Sequence, residues 1–241
     1  MKFKLYLEAQ EDLFRLAYSL GEMPREDVEK LLKGDWDKDI RDRRAFTMNF
    51  GWAVPCKEVV DAIKKHAREP LYDVLAGTGY WAKILRKAGI NVVASDMHKI
   101  VNKNAYHQRK EDTGATNISG FIRPKKEKII RRNALKVGYG FKTGRLKGDI
   151  FLSWVPYQTS FATDLLEMIP LGTRVFEIGE GLGGCTGDAS FHKYLCDNFS
   201  AIHHEEVPNF TGIHDSLIIW EKNKSLPIKQ ELRRKYWYEE D

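Results

Sequence analysis

Only three cysteines, Cys56, Cys185 and Cys196, occur in 241 residues, and no two of them form a Cys-x-x-Cys pair. An odd count without that spacing suggests neither a disulfide framework nor a thiolate zinc site, and it fits a reducing compartment. Long apolar runs are missing as well. No stretch approaches the roughly 18 uncharged apolar residues of a membrane span. The opening Met1-Lys2-Phe3-Lys4-Leu5-Tyr6-Leu7-Glu8 meets an acid before a signal-peptide core forms. The expectation is a cytoplasmic protein. There is no internal repeat, and with 42% hydrophobic, 30% charged and 12% aromatic residues and a mean hydropathy of −0.48 the composition excludes disorder and fibre.

The formal net charge is +5, which permits a polyanionic partner without requiring one. Basic residues concentrate in Arg123-Pro124-Lys125-Lys126-Glu127-Lys128-Ile129-Ile130-Arg131-Arg132, followed by Lys136, Lys142, Arg145 and Lys147. From charge alone this 123–147 segment reads either as a solvated loop or as a patch that contacts nucleic-acid phosphates.

The first fifty residues have helical periodicity. Tyr6, Ala9, Leu13, Leu16, Ala17 and Leu20 lead to Gly21, and Pro24 opens a second helix that Gly34 closes. They form an expected N-terminal helical cover over residues 1–50. Trp52-Ala53-Val54-Pro55 then introduces a helix bearing Val59, Val60, Ile63 and Ala67, ended by Pro70. From residue 71 short apolar runs alternate with helical ones, the mark of β-α-β units and a mostly parallel sheet. Candidate strands are 72–76, 91–95, 149–153 and 174–178, with 128–131 weaker. Helices are expected at 80–88, 161–169 and 189–199, and a terminal hairpin at 201–207 and 213–220. The 51–221 domain therefore encloses an insertion at 97–148, which has no clear periodicity and is where substrate contacts are expected. A charged tail, 222–241, carries Tyr236, Trp237 and Tyr238.

The first strand runs into Ala76-Gly77-Thr78-Gly79 and then a helix. Such a turn aims unpaired backbone N–H groups and the positive helix end at a ligand, and its glycines admit close approach. Asp96, at the end of the second strand, reads either as a carboxylate placed to accept both hydroxyls of a ribose or as a helix cap or solvent-facing acid.

With these residues the sequence resembles the class I S-adenosylmethionine (SAM)-dependent methyltransferases, over roughly residues 50–221. Their acid-x-Gly-x-Gly-x-Gly motif is matched by Asp73-Val74-Leu75-Ala76-Gly77-Thr78-Gly79, with Leu75 in place of the first Gly. The resemblance implies a Rossmann-like class I methyltransferase sheet, mostly parallel, with an antiparallel C-terminal hairpin strand and N-terminal helices. It implies SAM as cofactor, with Asp73 at the methionine amine, Ala76, Gly77, Thr78 and Gly79 around the cofactor, Asp96 on the ribose and Asn133 on the adenine amine. The fourth strand exits into Ser153-Trp154-Val155-Pro156-Tyr157, similar to the turn used by methyltransferases of nucleic-acid base amino groups. There Pro156 and Tyr157 match, Ser153 stands one place early, and Trp154 fills the polar slot. Ser153, Trp154, Pro156 and Tyr157 are thus the expected acceptor-side residues. The alternative, that Trp154 and Tyr157 only wall the cofactor pocket, stays open.

Three further features carry weaker signals. The Gly179-Glu180-Gly181-Leu182-Gly183-Gly184-Cys185-Thr186-Gly187-Asp188 loop reads as a substrate loop or mobile lid, with Glu177 or Glu180 as base or amine anchor and Asp188 as a helix cap. Cys185 lacks a neighbouring His, and His203, His204 and His214 on the hairpin do not make a metal site convincing. Two functions from different classes follow: a methyltransferase of unassigned acceptor, with a base amino group as one candidate, or a methyltransferase-like protein without transfer activity that binds nucleic acid or protein. A nicotinamide dehydrogenase fits less well, because the third Gly after Gly79 is absent.

Overall fold

Leu71–Val74 (β1) is buried at every position, a pattern open to a strand only where both faces of its sheet are covered. Asp149–Ser153 (β4) and Arg174–Gly179 (β5) show the same pattern but for one half-buried terminal residue each. Val92–Asp96 (β2), Ile129–Arg131 (β3), Phe199–Glu206 (β6) and Ser216–Lys222 (β7) complete a seven-stranded sheet in the order β3-β2-β1-β4-β5-β7-β6. The first five strands pair in parallel. β7 runs antiparallel between β5 and β6. This is the Rossmann-like, mostly parallel sheet with an antiparallel C-terminal hairpin that the sequence leads one to expect. Within the hairpin β7 is the interior strand and β6 forms the edge.

The computed structural model describes residues 15–33, 43–97 and 128–224, apart from 45, 48 and 158. The periodicity at Tyr6, Ala9 and Leu13, the Gly34 stop, residues 98–127 of the insertion and the tail aromatics lie outside these. Residues 15–19 are helical and tighten into a 3-10 turn at Leu20–Glu22. Arg25–Leu32 (α1) follows Pro24 as expected.

Lys57–His66 (α2) and Tyr80–Lys87 (α3) cover one face of the sheet. They bury Val59, Val60 and Ile63, and Tyr80, Trp81, Ile84 and Leu85, each set at the i, i+3, i+4 spacing of a helix stripe. Gly89, at φ +90°, ends α3 by accepting a left-handed turn. Ala134–Lys142 (α4), Phe161–Met168 (α5) and Ala189–Asn198 (α6) cover the other face, around Ile150, Leu152, Leu165 and Phe191.

α4 corrects the reading of 97–148 as an insertion without periodicity. Gly138 and Gly140 obscure its helical pattern, and packing explains both. A Cβ on Gly138 would sit 2.7 Å from Met168 Cε, and one on Gly140 2.6 Å from Leu146 Cδ1. Lys222, which the sequence puts at the head of the tail, is instead the buried last residue of β7. Among the described residues no helix is long and apolar enough to cross a membrane.

Candidate functional site

The parallel strands all end on one side, and there β1 turns into α3. Three residues of the turn have left-handed backbone: Leu75 (φ +65°), Gly77 (+53°) and Gly79 (+77°). Leu75 therefore holds the conformation a glycine would take at ease, at a cost of about 1–2 kcal/mol. Its side chain packs into the α4–α6 core while Ala76 packs into the opposite one, so the leucine turns into the protein and leaves the turn's outer surface clear. Above Gly77 a Cβ would meet nothing within 4 Å. The backbone there is open to a ligand.

Two carboxylates flank this turn. The Gly77 amide donates to Asp96 Oδ2 at 3.0 Å, joining the ends of β1 and β2. Asp73 is buried, and its Oδ2 has no hydrogen-bond partner. Burial pushes its carboxyl up to about 7, with Asp96 adding to the rise while Arg86 and the Ala82 amide oppose it. A buried acceptor without a partner is costly, and an ammonium group would satisfy it. Ser95 Oγ, one residue before Asp96, is also buried and unpartnered.

The remaining expected cofactor residues have structural partners. The Thr78 hydroxyl donates to the Phe50 carbonyl, so the N-terminal cover is tied to the glycine turn. Tyr80 OH donates to the Ala17 carbonyl at 2.5 Å, and Phe46 meets the Tyr80 ring edge-on at 5.6 Å. Asn133 caps α4, its Oδ1 accepting from the Lys136 amide at 2.7 Å. It does so at the carboxyl end of β3, beside β2.

The acceptor-side residues separate. Ser153 ends β4 half-buried, and Pro156 is half-buried too, whereas Tyr157 is 47% exposed. Trp154 is the organised member. It adopts φ +53°, its amide donates to Ile178 O at 2.8 Å, and its indole stacks on Trp52 at 4.8 Å and 19°. Arg43 lies over Trp52, 5.8 Å from the ring centre. The indole N–H of Trp154 donates to Asp215 Oδ2 at 2.7 Å.

Sequence reasoning missed Asp215. It immediately precedes β7, whose first residue Ser216 pairs with Gly179 at the end of β5. It is 5% exposed, and its Oδ1 has no partner. Burial lifts its carboxyl to about 7; the Trp154 hydrogen bond opposes this, Glu180 adds to it and Arg43 opposes it. Asn209 locks it locally, accepting the Asp215 amide at 2.9 Å and donating to its carbonyl at 3.0 Å. A lone acid before a strand gives no signal in one sequence. The Asn209–Asp215 spacing becomes legible only once the hairpin is seen.

The glycine-rich loop is a folded unit rather than a free lid. Glu180 Oε2 accepts the Cys185 amide at 2.7 Å, Glu180 Oε1 accepts the His214 amide at 3.1 Å, and the Gly187 amide donates to Val155 O at 2.8 Å. A Cβ on Gly184 would lie 2.3 Å from Glu180 Cβ, so close packing explains that glycine. The 181–183 tip projects, with Leu182 75% exposed, and Cys185 is exposed beyond it. Glu180 is thus committed to the loop. Glu177 is committed elsewhere, accepting Trp220 Nε1 at 2.9 Å within the sheet's α4–α6 side, where burial raises its carboxyl. The sequence expects a base or amine anchor at one of them; both hold structural hydrogen bonds instead of standing free. Asp188 caps α6 through the Phe191 amide at 2.8 Å. Burial raises the Cys185 thiol, which opposes thiolate formation. Among the described residues no His, Cys, Asp and Glu cluster suits a metal ion; His203 instead stacks on His66 at 5.0 Å.

No family model matches the chain, and no curated protein matches it. Solved structures do resemble it. Human N-acetylserotonin methyltransferase in complex with SAM is 15% identical at a TM-score of 0.40, the match covering 64% of this chain and 47% of that one. Magnesium protoporphyrin IX methyltransferase from Synechocystis PCC 6803, with bound SAM, is 14% identical at 0.42, covering 80% and 88%. TrmN from Thermus thermophilus is 18% identical at 0.39, covering 68% and 48%. The chain spans about half the length of the human and Thermus proteins. At these scores the likeness is loose, and none of these activities passes to this chain by it.

Proposed function

We propose that this protein is a SAM-dependent methyltransferase. The observation that carries the reading is the β1–α3 turn: left-handed backbone at Leu75, Gly77 and Gly79, open space over Gly77, and the unpartnered buried oxygen of Asp73 in the strand that leads into it. The residues present fit the cofactor. Asp73 Oδ2 suits its ammonium group, the Asp96 carboxylate suits ribose hydroxyls, and the Gly77 backbone admits close approach. Bound there, the cofactor supplies a methyl group on a sulfonium, which is already a good leaving group. The chain's own task is to orient the acceptor, exclude water and take one proton.

The acceptor corner is formed where β4, β5 and β7 meet, next to the cofactor turn. An amino group of a nucleic-acid base is the acceptor this reading favours. The exposed Lys136, Tyr139, Lys142 and Arg145 on and after α4 support it as cationic and aromatic surface for a polyanion.

Calorimetric titration with SAM and with S-adenosylhomocysteine tests the reading, with Asp96→Ala as control. Ligand at about 100 times Kd should add about 2.7 kcal/mol of stability. The native chain should respond and the variant should not. If neither ligand binds the native chain at millimolar concentration, a methyltransferase assignment is untenable.

A further inference from the structure

The buried side chains outside the glycine turn include a second orphaned carboxylate oxygen, Asp215 Oδ1. Its surroundings form a built site. Asp215 Oδ2 is held by Trp154 Nε1 at 2.7 Å, the half-buried indoles of Trp154 and Trp52 stack at 4.8 Å, and the backbone of Asp215 is pinned twice by Asn209. Everything lies at the carboxyl ends of β4 and β5, the side on which open α/β sheets bind ligands. The orphaned oxygen therefore belongs to a rigid carboxylate beside a flat aromatic wall.

We propose that Asp215 is the residue that anchors the methyl acceptor and takes its proton, and that the acceptor is an exocyclic amino group on a planar heteroaromatic ring. This rests on the methyltransferase reading and extends it to a residue delivered by β7 rather than by β4. The stacked indoles offer a sequence-tolerant surface for a planar ring. An amino N–H donates to Oδ1, satisfying an acceptor that the protein leaves unpaired. In the transfer, the nitrogen lone pair forms the N–C bond to the methyl carbon while the C–S bond breaks, its electron pair going to sulfur. The proton of the methylated nitrogen passes to Asp215 Oδ1. An N-methylated arylammonium is strongly acidic, so a carboxylate titrating near neutrality suffices as base. A 6-oxo or 4-oxo ring instead turns a carbonyl oxygen toward the carboxylate, and an anionic acceptor meets both Asp215 and Glu180.

The test uses adenosine against inosine and cytidine against uridine, pairs that exchange the amino group for an oxygen on one ring. Binding is read by tryptophan fluorescence in saturating S-adenosylhomocysteine, on the native chain and on Asp215→Asn. Asparagine keeps an oxygen for Trp154 Nε1 and removes the charge. The native chain should prefer the amino member of at least one pair by about tenfold or more, and the variant should lose that preference while its S-adenosylhomocysteine affinity stays within about twofold. Tritium transfer from labelled SAM to the preferred nucleoside should rise with pH through about 7 in the native chain and lose that inflection in the variant; among the described residues the charged groups that act on Asp215 are Glu180 and Arg43. A native chain that does not distinguish the pairs, or a variant that still does, overturns the assignment. If S-adenosylhomocysteine itself fails to bind, the methyltransferase reading and the proton-accepting role fall with it, and the nucleoside titration repeated without it still decides whether Asp215 anchors an amino group.

Discussion

Lys222, at the end of β7, reaches across to the end of α5 and donates from Nζ to the carbonyls of Leu166 at 2.7 Å and Ile169 at 2.9 Å. A strand side chain thus satisfies a helix C-terminus that would otherwise bury unpaired acceptors. Replacing it with methionine keeps the volume and removes the donor. Lys222→Met should destabilise the chain by about 1–3 kcal/mol in urea unfolding. An unchanged midpoint would mean that water, rather than the ammonium, serves these carbonyls.

The same lysine sets a pH dependence. Burial lowers its ionisation to about 8, with Glu167 opposing. Between about 8 and the ordinary lysine value near 10.4 the unfolded chain holds more protons than the folded one, so this group makes stability rise with pH across that window. The rise should be present in the native chain and absent from Lys222→Met when the two are melted in parallel at pH 8 to 10.5.

Asp73 and Asp215 act in the opposite direction. Both titrate near 7 in the folded chain because burial disfavours their charge, and near 3.9 when unfolded. The folded state then holds more protons from about pH 4 to pH 7, so these two groups reduce stability as pH rises through that range. The ligand-free native chain should lose stability, on the order of a few kcal/mol, between those limits. Asp73→Asn combined with Asp215→Asn should flatten the slope. A native curve that climbs steadily from pH 4 to 7 would show that other carboxylates dominate.

At Leu75 packing and backbone conformation pull apart. Leu75→Ala loses the packing against the α4–α6 core and keeps the left-handed strain, whereas Leu75→Gly loses the packing and relieves the strain. The glycine variant should therefore be more stable than the alanine one by about 1 kcal/mol. Equal stability in denaturant titration would place this residue outside the left-handed region.

Gly184→Ala tests whether the glycine-rich loop is built by packing. The added methyl would collide with Glu180 at 2.3 Å, disturbing the carboxylate that holds both Cys185 and His214. A loss of about 1–3 kcal/mol is expected. Gly181→Ala, where a Cβ meets nothing within 4 Å, should cost far less, and a reversal of that order would argue against the packed loop.

Much of this molecule was open to reading from sequence. The alternation of apolar strands with helices at Trp81, Ile84 and Leu85 forecast the parallel sheet, since burial on both faces leaves continuous apolar runs. The glycines around Gly77 forecast the left-handed turn between β1 and α3, because few other residues tolerate that backbone. What stayed hidden has a common cause. Gly138 and Gly140 concealed α4 because close packing against Met168 and Leu146 overrides helix propensity. Asp215 was invisible because its importance comes from Trp154, 61 residues away, and from a hairpin that places it at the end of β5. Glu177 and Glu180 looked catalytic for the converse reason: acids near a strand end attract attention, and only their hydrogen bonds reveal that they are already engaged.

The segment around residues 46–54 touches both halves of the strand-end surface, through Phe50 to Thr78 and through Trp52 to Trp154. Two binding equilibria that share a common element are linked reciprocally: whatever one ligand does to that element alters the other's affinity by the same factor. Phe50, whose carbonyl holds the glycine turn and whose ring lies outside the proposed aromatic surface, is thus where coupling between the two proposed ligands can be measured, as a coupling free energy.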